Sequence, residues 1–175
     1  MPAEHYEFLQ RLISRGETPR VSFAIDARFN DDDVKAYNTI AEIPGTDKNA
    51  EIVMIGAHLD SWHASTGGVD NAAGVAVTME AMRILKKLDI KPKRTIRIGL
   101  WSGEEQGLYG SRAYVEQHLA TRPKPEDPKE REFSPWYWSS PGFPITKKPA
   151  YDKFSVYFNM DNGSGKFRGI YTENN

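Results

Sequence analysis

Residues 51–57, Glu51-Ile52-Val53-Met54-Ile55-Gly56-Ala57, are a nearly continuous apolar run. Such a run reads as a central strand buried on both faces. Residues 71–88 follow with apolar side chains at helical spacing and good helix formers. They end near Lys86-Lys87, where cations meet the negative end of a helix dipole. Residues 95–101 form a second buried strand and residues 107–119 a second helix. Strand, helix, strand, helix predicts an α/β fold with a mixed, mostly parallel central sheet flanked by helices.

On the amino-terminal side, residues 4–15 carry a short amphipathic helix, ended by Gly16 and Pro19. Val21, Phe23 and Ile25 alternate with smaller or polar residues, Asn30 to Asp33 make a polar turn, and residues 34–43 alternate again before Pro44-Gly45. That pattern predicts a hairpin. On the other side, residues 120–150 are rich in proline and contain Trp136-Tyr137-Trp138. A loop of this length predicts a functional lid or mobile segment. A third strand is expected at residues 154–160, and one more at 168–172.

Composition narrows the function. The chain has 175 residues with a formal net charge of −1, so no basic surface announces nucleic acid. No apolar run reaches the roughly 20 residues of a membrane span. Cysteine is absent, so any metal site must use His, Asp and Glu. The start, Met1-Pro2-Ala3-Glu4, does not read as a signal peptide.

The chemistry-bearing residues sit at strand ends. His58 and Asp60 follow the first central strand, Glu104 and Glu105 the second, and Asp161 the third. Asp70 opens the long helix. In an open α/β sheet the carboxyl ends of the strands share one crevice, which would bring these residues together. One imidazole and several carboxylates suit zinc, cobalt or manganese. A hydrolytic metal pair lies about 3.5–4 Å apart and needs a bridging carboxylate. Asp70 is the candidate, because it lies beside glycines at a helix start. Of the adjacent Glu104 and Glu105, one can bind metal while the other serves as general base to the attacking water. Singly, each residue has an ordinary reading: Asp60 as a helix cap, Glu104-Glu105 as a solvated helix start, Asp161-Asn162-Gly163 as a turn. Their conjunction at three successive strand ends argues against those readings.

The segments His58-Leu59-Asp60-Ser61-Trp62, Gly67-Gly68-Val69-Asp70-Asn71-Ala72-Ala73-Gly74 and Trp101-Ser102-Gly103-Glu104-Glu105-Gln106-Gly107-Leu108-Tyr109-Gly110-Ser111 closely resemble the co-catalytic zinc exopeptidases. That family includes bacterial leucyl aminopeptidases and glutamate carboxypeptidases, with a phosphorylase/hydrolase-like fold. The resemblance covers residues 34–163. It implies that His58 and Asp161 bind one zinc, that Asp70 bridges, that Glu105 binds the second zinc, and that Glu104 is the general base. It gives Asp60 the role of orienting His58 through the free ring nitrogen. It also implies a cis peptide between Asp70 and Asn71, a peptide substrate, two zinc ions, and a secreted or periplasmic parent protein.

Around Asn38 to Gly45 the chain resembles the subgroup with the plasma-type glutamate carboxypeptidase, in which a protease-associated domain is inserted just upstream. Residues 1–20 are then the link or tail of that insertion, and residues 21–175 the N-terminal portion of the catalytic domain. The family's second zinc has a histidine ligand well downstream of Asp161. Only 14 residues follow Asp161 here and none is His. His5, His63 and His118 lie in the wrong places. The expectation is a catalytic domain whose C-terminal part is missing, holding one zinc or none and inactive alone. Self-association through exposed strand edges is expected. The alternative is a non-catalytic binding module that retains the peptidase fold.

Overall fold

Three parallel strands and one antiparallel strand build the sheet that carries the chemistry. The computed structural model describes residues 2–133, 137–139, 142–161, 163 and 165–172. Trp136, from the aromatic group, and Asn162, from the expected turn, lie outside the described residues. The chain divides into two units, Met1–Val34 and Lys35–Asn175.

In the first unit, α1 spans Ala3–Ser14 and ends where the Gly16 and Glu17 amides donate to the Ile13 and Leu12 carbonyls. No strand forms at Val21, Phe23 and Ile25, so the hairpin expected from their alternation is absent. Alternation signals a strand only where a sheet receives one face. These three side chains are exposed instead.

In the second unit, β1 spans Thr39–Ile43, β2 Ile52–His58, α2 Ala73–Lys87, β3 Thr95–Trp101 and α3 Tyr109–His118. Two short strands, β4 (Ala120–Thr121) and β5 (Thr146–Lys147), pair antiparallel, and β6 spans Phe154–Asn159. The sheet order is β1-β3-β2-β6. β1 runs antiparallel to β3, while β2 is parallel to both β3 and β6. This is the expected mixed, mostly parallel sheet with helices packed on it. β1 finds its partner in β3, not in a hairpin neighbour, and Glu42 pairs across the ladder with Arg97 at 2.8 Å. Residues 168–172 form no strand.

The core lies where β2 and β3 meet α3. Met54, Trp101, Tyr114 and Leu119 are buried together, with the Trp101 and Tyr114 rings 5.2 Å apart. Gly99 makes the room: a Cβ there would meet Met54 Cε at 2.5 Å and the Trp101 ring at 2.6 Å. The Trp101 indole N–H donates to Tyr157 Oη at 2.6 Å, which ties the end of β3 to β6. Burial beside Trp101 pushes the Tyr157 phenol up to about 12, so it stays a neutral hydrogen-bonding group.

The β4–β5 pair closes the long 120–150 segment at its neck, and the Lys148 amide adds a bond to the Leu119 carbonyl. Within the segment the Arg122 guanidinium lies over the Trp138 ring, 4.9 Å from its centre. Among the described residues no helix is long and apolar enough to cross a membrane.

Candidate metal centre

The parallel ladder sets the site. His58 stands opposite Trp101 in the β2–β3 register, and Gly56 stands opposite Asn159 in the β2–β6 register. The carboxyl ends of β3, β2 and β6 therefore lie side by side. Each feeds one acidic segment into the same crevice.

His58 is the centre of the cluster, with only 2 % of its surface exposed. Its Nδ1 lies 3.0 Å from the Asp60 carbonyl oxygen. A carbonyl only accepts, so Nδ1 carries a proton and Nε2 is the nitrogen turned toward the carboxylates. That Nε2 lies 2.9 Å from Asp70 Oδ1, 3.2 Å from Asp161 Oδ1 and 3.9 Å from Glu104 Oε2. Side-chain atoms of His58, Asp70 and Glu105 lie within 4.8 Å of one another, as do those of His58, Glu104 and Asp161. The structure thus brings together His58, Asp70, Glu104, Glu105 and Asp161 from four separate segments.

Asp60 contacts its neighbours in two ways. Its carbonyl orients His58, while its carboxylate is 3.7 Å from Nδ1. The carboxylate oxygens instead accept from the backbone N–H groups of Glu104, at 3.1 Å, and Glu105, at 3.2 Å. The orienting contact is therefore made by the main chain, and the side chain grips the two glutamates.

The glutamate loop is closed on itself. The Tyr109 and Gly110 amides donate to the Gly103 and Ser102 carbonyls, and the Gly107 and Leu108 amides donate to the Glu104 carbonyl. Asn38 clasps the neck from outside. Its amide nitrogen donates to the Gly110 carbonyl at 2.8 Å, and its oxygen accepts from the Ser102 N–H at 3.2 Å. Asn38 stands outside the motifs that carry the site residues. Its two partners lie 64 and 72 residues away, so nothing local in the sequence marks it.

Asp70 lies in an irregular turn, Gly68–Ala72, before α2. Asp70 and Asn71 leave helical geometry there, and the peptide between them is cis. Gly67 enters the turn at φ +64°, and a Cβ on it would meet the Ser61 side chain at 2.9 Å. Glycine takes this conformation without that penalty. Of the other histidines, His63 is exposed, and His118 closes α3 with its ring 4.7 Å from that of Tyr114. Among the described residues, His58 is the only imidazole in either candidate metal-binding group.

The electrostatics are lopsided, with one imidazole against five carboxylates. For His58 burial works against the charged ring, yet Asp161, Glu104 and the carbonyl and carboxylate of Asp60 outweigh it and hold its pKa above the ordinary value. Glu104 is also raised, first by burial and then by Asp161, Glu105 and Asp60, against the opposing pull of His58. A donor set of this kind fits a hard or borderline divalent cation, which would offset the repulsion. The residues present fit zinc.

Comparison with known proteins points the same way. The model of peptidase family M28 matches residues 38–130. The chain is 40% identical over 115 residues to carboxypeptidase Q of Xenopus laevis, covering 66% of this chain and 24% of that protein. It is 38% identical over 87 residues to leupeptin-inactivating enzyme 1 of Streptomyces exfoliatus, covering 50% of this chain and 20% of that enzyme. The crystal structure of a peptidase M28 precursor from Shewanella amazonensis SB2B is similar, with a TM-score of 0.52 and 35% identity. The match covers 65% of this chain and 26% of that one. The chain spans about a quarter of the length of the carboxypeptidase Q relative.

The raised carboxyl of Glu104 has a consequence for the metal-free chain. The native state holds the Glu104 proton more tightly than the unfolded state, so stability falls as pH rises from the ordinary carboxylate range through the raised value. The stabilisation from His58 is complete below its unfolded pKa of about 6.5 and is lost as pH rises through its raised folded value. Glu104→Gln is expected to raise the urea midpoint of metal-free protein at about pH 7, with the advantage vanishing near pH 3, where both states hold a neutral side chain. A variant no more stable than wild type at neutral pH would contradict this assignment.

Proposed function

The chain belongs to peptidase family M28, and we propose that it supplies the larger part of a two-zinc centre that hydrolyses a terminal peptide bond of peptides or dipeptides. The observation that carries this reading is the placement of His58 Nε2. It lies within 3.2 Å of both Asp70 and Asp161, beside two glutamates whose amides are gripped by Asp60. His58 and Asp161 would hold one zinc, Asp70 would bridge, and Glu105 would hold the second.

Zinc, when bound, supplies Lewis-acid polarisation of the scissile carbonyl and makes water acidic enough to attack near neutral pH. The protein's own groups do the rest. The Asp60 carbonyl fixes the His58 tautomer, so that Nε2 is the free donor. Glu104 accepts the proton of the attacking water and passes it to the leaving amine. Its raised pKa suits a group that must both take and give a proton. Asp60 keeps Glu104 and Glu105 in fixed relation through their backbone amides, so that base and ligand divide the two tasks.

In the same reading the chain alone does not turn over substrate. Residues 1–20 are the link to an inserted domain or its tail. The outer edges of β1 and β6 associate with further chain or with copies, because unpaired strand edges template pairing. Light scattering should then show the mass of the isolated chain rising with concentration, and a monomer throughout would contradict the edge pairing.

The catalytic reading is tested on the full-length, zinc-loaded protein with aminoacyl and dipeptide substrates. Glu104→Gln should lower kcat by about 10²–10⁴-fold while zinc content stays unchanged. Equal activity in the two proteins would overturn the role of Glu104.

A further inference from the structure

Asn71 is among the most completely buried side chains described, with 1% of its surface exposed. It is polar, and both ends of its amide are used. Nδ2 donates to the Met160 carbonyl at 2.9 Å, and Oδ1 accepts from the Gly74 N–H at 3.2 Å. The Met160 peptide is held from the other side too, because its N–H donates to the Gly56 carbonyl at 2.9 Å. Met160 is thus pinned between β2, which ends in His58, and the turn that carries Asp70. The next residue is Asp161.

Gly74 is part of the same arrangement. A Cβ at position 74 would meet Asn71 Oδ1 at 2.3 Å and the Met160 carbonyl oxygen at 2.6 Å. Those atoms are backbone or fully buried, so they have little room to give. The small residue is required for the Asn71 amide to span from α2 to the end of β6.

We infer that Asn71 is a positioning residue, a latch that fixes the separation of Asp70 and Asp161 by binding the Met160 carbonyl. The inference rests on the zinc reading of the site. Asp70 is the covalent neighbour of Asn71, and Asp161 is that of Met160, so one hydrogen bond of 2.9 Å sets the span between two carboxylates that both face His58 Nε2. Asn71 lies within the Gly67–Gly74 motif, where nothing local marks this contact. Its partner lies 89 residues away.

The test uses the 175-residue chain and zinc itself, with affinity read by competition against a chromogenic chelator. Two uncharged variants break the latch independently: Asn71→Ala removes the amide, and Gly74→Ala forces it aside. Circular dichroism establishes which variants are folded, and the second carries the test if the first is not. Zinc affinity of the folded variants should fall about 10- to 100-fold, the usual cost of losing a group that holds metal ligands in place. Exposed Arg83→Ala, remote from the cluster, should bind as wild type does. Folded latch variants that lose thermal stability yet bind zinc within about twofold of wild type would show a merely structural role and overturn the inference. Wild-type chain that takes up no zinc would overturn the metal reading and the latch together.

Discussion

The site turns on a buried imidazole that has given one nitrogen to the main chain. His58 donates from Nδ1 to the Asp60 carbonyl, which leaves Nε2 facing Asp70 and Asp161. A buried histidine between carboxylates would ordinarily settle as an ion pair, and the raised pKa of His58 shows that pull. Here the carboxylates outnumber the imidazole, so protonating one ring cannot neutralise the cluster. The fold holds the mismatch in place through its ladder. β2 is locked between β3 and β6, and each of the three strands ends beside an acidic segment.

Three amide-binding contacts keep the acidic segments from drifting apart. The Asp60 carboxylate grips the Glu104 and Glu105 amides, Asn38 closes the neck of their loop, and Asn71 ties the Asp70 turn to Met160. Each spans more than 40 residues of sequence and uses backbone as a partner. The glutamates therefore sit at defined places without being part of regular structure. That separates the roles of neighbouring residues in a way that a helix or strand would not.

Much of the fold was legible because the central elements carry strong local signals. The runs at 52–58 and 95–101 read as central strands and form β2 and β3, each buried toward its carboxyl end, and the helical spacing of α2 is unbroken from Ala73 to Lys87. The candidate site residues were legible because they cluster at strand ends in long motifs. What escaped were particular pairings between segments distant in sequence. Val21, Phe23 and Ile25 alternate like a strand but stay exposed, and β1 pairs with β3 across more than 50 residues. Residues 168–172 likewise form no strand. The contact between the Asp60 carboxylate and two backbone amides has no sequence signature, because an amide N–H is the same for every residue but proline.

Among the described residues His58 is the sole imidazole that this chain brings to the oxygen-rich site. X-ray absorption fine structure at the zinc edge, on the chain loaded with one equivalent of zinc, reads this directly. A nitrogen and oxygen shell at about 2.0–2.1 Å with the outer scattering of a single imidazole is expected. A shell with two or more imidazoles would mean that His5, His63 or His118 had been recruited, and would contradict it.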